Sequence, residues 1–240
     1  MRMGYIVISG GTRGIGKAIA LHFAQQHWHV ALCGRNEAAL QAVKQEMQTR
    51  HPGGMAIVTR VDVTDEEQVH AFANEVQQHF PVIDVLVNNA GIFEPGAVHQ
   101  EEEGQLERQM ASNLYSAYYL TRALLPLMIS RRQGHIFNIC STASLQAYAN
   151  GGSYSISKFA LLGFSRNLRE ELKPYRIKVT ALMPGPTLTD SWAGYPAPAE
   201  RFIPPQDIAM LVWQLCNLSP QTVVEELTIR PMEGDIPADT

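Results

Sequence analysis

Residues 5–16 read Tyr5-Ile6-Val7-Ile8-Ser9-Gly10-Gly11-Thr12-Arg13-Gly14-Ile15-Gly16. The first five form a short apolar run rich in β-branched residues, which predicts a buried strand. Glycines at the spacing G-x-x-x-G-x-G follow, and the residues beyond them have the periodicity of a helix. A strand, a glycine turn and a helix in this order are typical of a phosphate-binding turn, whereas a glycine-rich turn alone also serves plain connections.

The three spaced glycines have separate roles in this interpretation. Gly10 permits the tight turn, Gly14 lets the backbone approach a pyrophosphate, and Gly16 lets the helix pack closely on the strand. The free N–H groups and the partial positive charge of the helix N-terminus then face the phosphates. We therefore expect a dinucleotide cofactor at this end of the first strand.

Short apolar runs alternate with longer helical patterns along the rest of the chain. The predicted strands are 5–9, 29–33, 55–61, 82–88, 134–139, 176–182 and 226–230, and the predicted helices are 15–26, 37–50, 66–79, 106–130, 153–172 and 206–217. Most of the strands are continuously apolar, as parallel strands covered by helices on both faces are. The expected fold class is α/β, with one doubly wound domain over residues 1–240 and a seven-stranded, mostly parallel sheet.

The residue after the second predicted strand indicates which dinucleotide is bound. An acidic side chain there would accept a hydrogen bond from the ribose 2′-hydroxyl of NAD. This chain has Gly34 and Arg35 instead, and Arg13 lies in the glycine turn. Two guanidinium groups suit a 2′-phosphate, so the sequence favours NADP(H). The alternative is that Arg35 is a solvated surface cation.

A tyrosine and a lysine stand four residues apart in the predicted helix 153–172. This spacing puts Tyr154 and Lys158 on one helix face, and Ser141 lies thirteen residues before the tyrosine. A phenol has a pKa of about 10, and a cation held beside it favours the phenolate. The pair suits proton exchange with a carbonyl or alcohol oxygen, although in isolation such a pair is more often a half-buried ring beside a solvated charge.

Taken together, these segments resemble the short-chain dehydrogenase/reductase family over nearly the whole chain. The matching pieces occur in family order: 9–16, Asp62-Val63, Asn88-Asn89-Ala90-Gly91, Asn113, Ser141, Tyr154-x-x-x-Lys158 and Pro184-Gly185. Within the family, the chain is similar to the ketoreductase-type branch that includes the 3-oxoacyl-carrier-protein reductases. The resemblance implies a single Rossmann-like domain.

The resemblance also implies a catalytic set of four residues. Tyr154 would be the general acid in carbonyl reduction, and Ser141 would hydrogen-bond the substrate oxygen. Lys158 would lower the pKa of the tyrosine and hold the nicotinamide ribose. Asn113 would position a water that links the lysine to solvent. No metal ion is implied.

A cofactor-binding set follows from the same resemblance. Asp62 and Val63 would contact the adenine, residues 89–91 would line the cofactor, and the turn at 184–185 would lie near the nicotinamide carboxamide. The full predicted set is Gly10, Thr12, Arg13, Gly14, Ile15, Gly16, Arg35, Asp62, Val63, Asn89, Ala90, Gly91, Tyr154, Lys158, Pro184, Gly185, Thr187 and Thr189.

Two segments of this chain bear on the substrate assignment. Residues 226–235 lack the V-D-G-G-like finish of those enzymes, which leaves that substrate assignment open. Residues of about 187–205 are predicted to form a lid over the substrate. Within the lid, Trp192 and Tyr195 either give an apolar lining or are exposed loop aromatics.

Composition narrows the partners and the location. The chain has 240 residues, a net charge of −4 and no basic run, which argues against nucleic-acid binding. It has no apolar run of about 18 residues, so no membrane span is predicted. The three cysteines are widely spaced, which argues against disulfide and zinc scaffolds. A cytoplasmic location is expected.

The predicted helix 106–130 is apolar on more than one side. A helix of that kind needs more than one surface to bury it, which predicts a homo-oligomer, either a dimer or a tetramer. The alternative is a wide core face within one chain.

The leading functional hypothesis is an NADPH-dependent oxidoreductase that reduces a ketone or aldehyde to an alcohol by hydride transfer. One alternative runs the same site in reverse, as an NADP-linked alcohol dehydrogenase. Another is a non-catalytic dinucleotide-binding regulator. The complete set of Asn113, Ser141, Tyr154 and Lys158 argues against a regulator, because a sensor needs no proton chemistry.

Overall fold

Strands and helices alternate along residues 3–236, which are the residues that this computed structural model describes. The strands are β1 (Tyr5–Ser9), β2 (His29–Gly34), β3 (Ala56–Arg60), β4 (Val85–Asn88), β5 (Gly134–Ile139), β6 (Ile177–Pro184) and β7 (Glu226–Ile229). The helices are α1 (Gly14–Gln25), α2 (Glu37–Arg50), α3 (Glu66–His79), α4 (Gln105–Met110), α5 (Ser116–Arg131), α6 (Gly152–Leu172) and α7 (Pro205–Cys216).

The seven strands form one sheet in the order β3-β2-β1-β4-β5-β6-β7. Each neighbouring pair is parallel, so the predicted α/β class is confirmed and the sheet is parallel throughout. One apolar cluster packs α1, α2 and α7 on one face of the sheet, and a second packs α3, α5 and α6 on the other. Helices on both faces explain why the central strands β1 and β4 are buried and continuously apolar.

The start of α3 is capped by side-chain hydrogen bonds. Asp65 is the N-cap residue, and its side chain accepts hydrogen bonds from the backbone of Glu67 and Gln68. Gln68 reaches back by donating to the Asp65 carboxylate and by accepting from the backbone N–H of Asp62. The side chain of Gln68 thus ties the helix to the end of β3.

The predicted helix 106–130 is present but is not uniform. It runs through α4 and α5 with a turn of π-helix, Ala111–Tyr115, between them. A π turn inserts one extra residue and so changes the direction in which the following side chains point, and such turns are frequent at functional sites. Asn113 lies in the middle of this turn.

Strand β4 is shorter than the sequence predicts. Val82 and Ile83 are buried and apolar like strand residues, but sheet pairing begins only at Val85, which lies opposite Ile6 on one side and His135 on the other. Burial without pairing explains why the sequence pattern extends the strand too far towards its N-terminus.

No helix within residues 3–236 has the length and apolar character required to cross a lipid bilayer.

Candidate active site

The sheet order reverses between β1 and β4, which puts a crevice at the carboxyl ends of these two central strands. Connections from β1 lead outward to β2 and β3, whereas connections from β4 lead to β5, β6 and β7. Ligands of open α/β sheets bind in such a crevice, outside the carboxyl ends of the strands. The segments that the sequence singles out follow β1, β4, β5 and β6 at this edge.

The glycine turn after β1 fits a close backbone approach. Gly10 has a φ of +68°, and a Cβ placed on it would lie 2.8 Å from the Cα of Ala90. A Cβ on Gly16 would collide with the carbonyl oxygen of Gly10, so the helix and the turn require glycine there. Asn89 braces the same turn by donating its side-chain amide to the carbonyls of Ser9 and Gly10, at 3.1 and 2.7 Å.

The N-terminus of α1 has backbone N–H groups that are available to donate hydrogen bonds to an anion. The N-cap residue Arg13 makes no side-chain capping bond, and the first turn contains no acidic residue. The amide groups that begin the helix therefore have no side-chain cap, and they carry the positive end of the helix dipole. This donor set, together with the steric requirement for glycine, fits the phosphates of a dinucleotide.

The two predicted guanidinium groups differ in their surroundings. The turn is joined to β2 by the bond from Gly11 N to Cys33 O at 3.0 Å, so Arg13 and Arg35 start from the same corner. Arg35 is exposed and makes no ion pair with a residue in 3–236. Arg13 pairs with Asp190 at 2.9 Å, across the crevice.

Asp62 lies just after β3, where the adenine is predicted to bind, but its carboxylate is bonded to a neighbouring residue. Its carboxylate accepts bonds from the backbone and the hydroxyl of Thr64, at 3.0 and 2.8 Å. Val63 follows it and is partly packed on the core. The predicted adenine contacts of both residues remain predictions.

Helix α6 and the end of β5 bring together the residues that are predicted to transfer a proton. The ammonium of Lys158 lies 5.8 Å from the ring centroid of Tyr154, as expected of side chains on one helix face. This ammonium is buried and donates to the carbonyl of Ile139 at 2.9 Å. The Ser141 side chain lies close enough to the phenol of Tyr154 to lower its pKa as a hydrogen-bonding group.

The pKa of the Tyr154 phenol is raised above its ordinary value, and Lys158 is not among the causes of this shift, so the predicted lowering of the pKa by Lys158 stays a prediction. Burial of the phenol is the main cause, and the hydrogen bond with Ser141 acts in the opposite direction. Burial also lowers the pKa of Lys158, whose ammonium is turned towards the carbonyl of Ile139. Tyr154 is consequently protonated at neutral pH, which is the form that donates a proton.

Asn113 has a structural contact that the sequence does not reveal. Its side chain accepts from Ile92 N at 2.7 Å and donates to Ile92 O at 3.0 Å and to the hydroxyl of Ser157 at 2.8 Å. It thereby joins the π turn, the segment after β4 and α6. Its predicted role in positioning a water stays a prediction.

The lid segment starts from the end of β6 and returns to the glycine turn. The hydroxyl of Thr187 donates to Gly185 O at 2.9 Å, and Thr187 forms a single parallel bridge with Ile203 that closes the base of the lid. A Cβ on Gly14 would lie 3.0 Å from Cγ2 of Thr189, so the lid touches the start of α1.

The lid aromatics form a cluster of their own. The ring of Trp192 packs against Tyr195 and against Phe202, with centroid distances of 5.3 Å in both cases. The two side chains named from the sequence are therefore half-buried partners within the lid.

Two site residues were missed by sequence reasoning. The Phe93 ring packs edge-on against Tyr154, with centroids 4.7 Å apart. Tyr148 lies just before α6, where a Cβ on Gly151 would be 3.2 Å from its ring, and its side chain is partly exposed. Both lie in irregular segments next to recognised motifs, and their closeness to those motifs in sequence was the available signal.

Within the part of the chain that the structure describes, no group of three or more His, Cys, Asp or Glu side chains is arranged to hold a metal ion.

Comparisons with known proteins agree with this geometry. Residues 4–198 match the short chain dehydrogenase family. A sepiapterin reductase of Chlorobaculum tepidum (strain ATCC 49652 / DSM 12025 / NBRC 103806 / TLS) is 32% identical over 242 residues, covering 98% of this chain and 98% of that protein.

Solved structures show the same likeness along the whole chain. An alcohol dehydrogenase from the archaeon Thermococcus sibiricus, complexed with 5-hydroxy-NADP, has a TM-score of 0.91 at 27% identity, covering 98% of this chain and 100% of that one. A 7α-hydroxysteroid dehydrogenase complexed with NADH and 7-oxo glycochenodeoxycholic acid has a TM-score of 0.87 at 30% identity, covering 97% and 94%. The chain therefore belongs to the short-chain dehydrogenase/reductase family.

Proposed function

We propose that this chain is an NADPH-dependent reductase that converts a ketone or aldehyde carbonyl to an alcohol. The broader statement, an oxidoreductase of the short-chain dehydrogenase/reductase family that interconverts alcohols and carbonyls with a nicotinamide cofactor, is supported by the family match. The observation that carries the finer proposal is the placement of the Tyr154 ring beside the buried ammonium of Lys158, with Ser141 near the phenol, at the same sheet edge as the glycine turn.

In the proposed mechanism the protein controls the proton and the oxygen of the substrate. Tyr154 donates its phenolic proton to the carbonyl oxygen, and Ser141 hydrogen-bonds the same oxygen as negative charge develops on it. A bound nicotinamide would supply the hydride to the carbonyl carbon. Residues of the glycine turn and the first amides of α1 would hold its phosphates, and Lys158 would hold its ribose.

The protonation state of Tyr154 supports reduction at neutral pH. A phenol with a raised pKa is a proton donor over the whole physiological range. The reverse reaction, as an alcohol dehydrogenase, needs the phenolate as proton acceptor, so its rate should rise as the solution becomes more alkaline. Reduction is therefore the direction that we propose.

The NADP preference rests on charge at the corner between β1 and β2. Arg35 is exposed and free of ion pairs within residues 3–236, and Arg13 starts from the same corner. Both residues are basic, whereas a ribose 2′-hydroxyl prefers an acidic partner. One similar structure holds an NADP derivative and another holds NADH, so the likeness alone does not select the cofactor.

The substrate is proposed only as a carbonyl compound. Similar proteins are named for a sepiapterin and for a hydroxysteroid, which are chemically unlike. A 3-oxoacyl thioester, suggested by the sequence resemblance, belongs in the same test. The ring of Phe93 beside the phenol favours an apolar or aromatic group next to the carbonyl.

We also propose a homo-oligomer, a dimer or a tetramer, that uses α5 and α6. Apolar side chains remain 39–46% exposed on neighbouring faces of these helices and the π turn, namely Tyr115, Tyr118, Ile156 and Phe159. A large exposed apolar face is typical of a protein interface. A cytoplasmic location remains part of the proposal, supported by the unpaired state of Cys33, Cys140 and Cys216.

A carbonyl panel run with NADPH and with NADH tests the proposal. It should contain aromatic, aliphatic, steroid and 3-oxoacyl thioester substrates, with cofactor oxidation followed at 340 nm. We expect turnover with at least one class and a higher kcat/KM for NADPH. Cofactor binding without oxidation of NADPH or NADH across the panel would instead support a regulator.

A further inference from the structure

Helix α6 begins only two residues before Tyr154, at an end that has no local cap. The N-cap residue Gly151 offers no side chain, and the first turn contains no acidic residue. The first amides of a helix lack intrahelical acceptors, and uncapped ends fray. The phenol on which the proposed chemistry depends is thus in the turn of α6 that is most prone to open.

Glu101 supplies the missing cap from 52 residues away. One carboxylate oxygen accepts from Ser153 N at 2.7 Å, and the other accepts from the hydroxyl of Ser153. Ser153 is buried and Glu101 is partly buried, so both bonds are partly shielded from water. A carboxylate at a helix N-terminus is stabilised further by the helix dipole and by charge-assisted hydrogen bonding.

The segment around Glu101 is fitted closely to the start of α6. A Cβ on Gly152 would collide with the Glu101 carboxylate and with the carbonyl of Gly96, so the glycine leaves the room that both groups occupy. Gly96 N donates to Asn150 O at 2.9 Å and holds the segment on the other side of the turn. Residues 93–101 therefore contact Tyr154 directly through the ring of Phe93, and they contact the residue before it, Ser153, through the carboxylate of Glu101.

We infer that Glu101 is a positioning residue, which fixes the first turn of α6 and so holds the phenol of Tyr154 against Ser141. It touches neither the phenol nor any group expected to react, so its effect is transmitted through the backbone of Ser153. This inference rests on the proposed function of Tyr154. It distinguishes Glu101 from the two glutamates that follow it, because Glu102 and Glu103 are exposed and form no side-chain hydrogen bond or ion pair with α6.

The test compares Glu101→Ala and Glu101→Gln with Glu102→Gln as the matched control. For each protein, kcat, KM, the Kd of NADPH and amide hydrogen exchange in the first turn of α6 are measured. For Glu101→Ala we expect faster exchange in that turn and a kcat about tenfold lower, with the Kd of NADPH within about twofold of wild type. Glu101→Gln keeps an acceptor for Ser153 N and should lose about two- to threefold in kcat. Glu102→Gln should match wild type.

Three results for Glu101→Ala would overturn the inference. The first is unchanged exchange in the first turn of α6. The second is faster exchange with a kcat equal to that of Glu102→Gln. The third is a parallel loss of kcat and NADPH affinity, as general unfolding would give. The proposed function fails separately, because it requires the wild-type protein to reduce a carbonyl in the panel, whereas hydrogen exchange reports the cap without turnover.

Discussion

At the scale of single residues, burial decides the proton chemistry. Tyr154 is kept protonated because the phenolate would lose hydration, and the hydrogen bond with Ser141 offsets only part of that cost. Lys158 is buried next to it but directs its ammonium at the Ile139 carbonyl. The sequence spacing correctly places the two side chains on one helix face. The direction of the pKa shift depends on burial, which the spacing does not contain.

The raised pKa of Tyr154 predicts opposite pH profiles for the two directions of the reaction. Carbonyl reduction should stay nearly constant between about pH 7 and 9, because the phenol remains protonated there. Alcohol oxidation should keep rising up to about pH 10, because it needs the phenolate. Initial rates in both directions across this range give the answer, and an oxidation plateau below about pH 8 would contradict the assigned shift.

His135 predicts the acid sensitivity of the fold. Its Nε2 lies 2.7 Å from the Thr180 hydroxyl, and that hydroxyl donates to Val224 O, so the imidazole is the donor. Burial, with a smaller effect of Lys178, lowers the pKa of His135 to about 3. The pKa of His135 is lower in the folded protein than in the unfolded one. The neutral imidazole therefore makes its full contribution to the free energy of unfolding above about pH 6.5, and this contribution declines as pH falls towards about 3.

The expected size of the His135 effect is about 2 kcal/mol of unfolding free energy between pH 7 and pH 5, since one proton contributes about 1.4 kcal/mol per pH unit. Urea unfolding at the two pH values measures it. His135→Asn should show a correspondingly weaker loss, and His99→Asn, which changes an exposed histidine, should behave as wild type. Equal pH dependence in all three proteins would contradict the assignment.

At the scale of elements, the crevice is closed by contacts between segments that are far apart in sequence. The lid reaches α1 through Thr189 and through the ion pair of Asp190 with Arg13. The π turn between α4 and α5 puts Asn113 against Ile92 and Ser157. Sequence periodicity predicted the helices, but a π turn and a long-range ion pair leave no periodic trace, so neither could be predicted.

The ion pair predicts an effect on cofactor choice. In Asp190→Asn, Arg13 no longer has a carboxylate partner and is free for a 2′-phosphate. Exposed pairs contribute up to about 1 kcal/mol, so NADPH should bind about two- to fivefold more tightly, with NADH affinity unchanged. Fluorescence titration measures both constants. Glu46→Gln removes another exposed ion pair of α1, with Lys17, and serves as the control; equal changes for NADPH and NADH would contradict the prediction.

At the scale of the whole molecule, the order of strands is what creates the site. The sequence predicts a seven-stranded, mostly parallel sheet because most of the predicted strands are short and continuously apolar, and the family motifs follow the strand ends; the sheet is parallel throughout. The catalytic and glycine-turn segments were therefore brought to one edge as expected. What the sequence could not supply was the set of cross-chain contacts, such as Glu101 with Ser153, because the acidic run 101–103 has no pattern that separates its members.

The exposed apolar face of α5 and α6 predicts the assembly. Phe159 is 45% exposed on α6, and a glutamate there would place a charge in the proposed interface. Phe159→Glu should shift the mass measured by light scattering from an oligomer to a single chain. Met55→Glu, which changes an exposed apolar residue on a different surface, should keep the wild-type mass. A wild-type protein with the mass of one chain would contradict the proposed oligomer.

The central claim is that Tyr154 provides the proton for carbonyl reduction, and Tyr154→Phe tests it most directly. This change removes the phenolic hydroxyl and keeps the ring that packs on Phe93, so folding and the Kd of NADPH should stay close to wild type. The account predicts a loss of kcat by at least about a hundredfold for the best carbonyl substrate of the panel. A kcat within a fewfold of wild type, measured on the same substrate with unchanged NADPH binding, would contradict it.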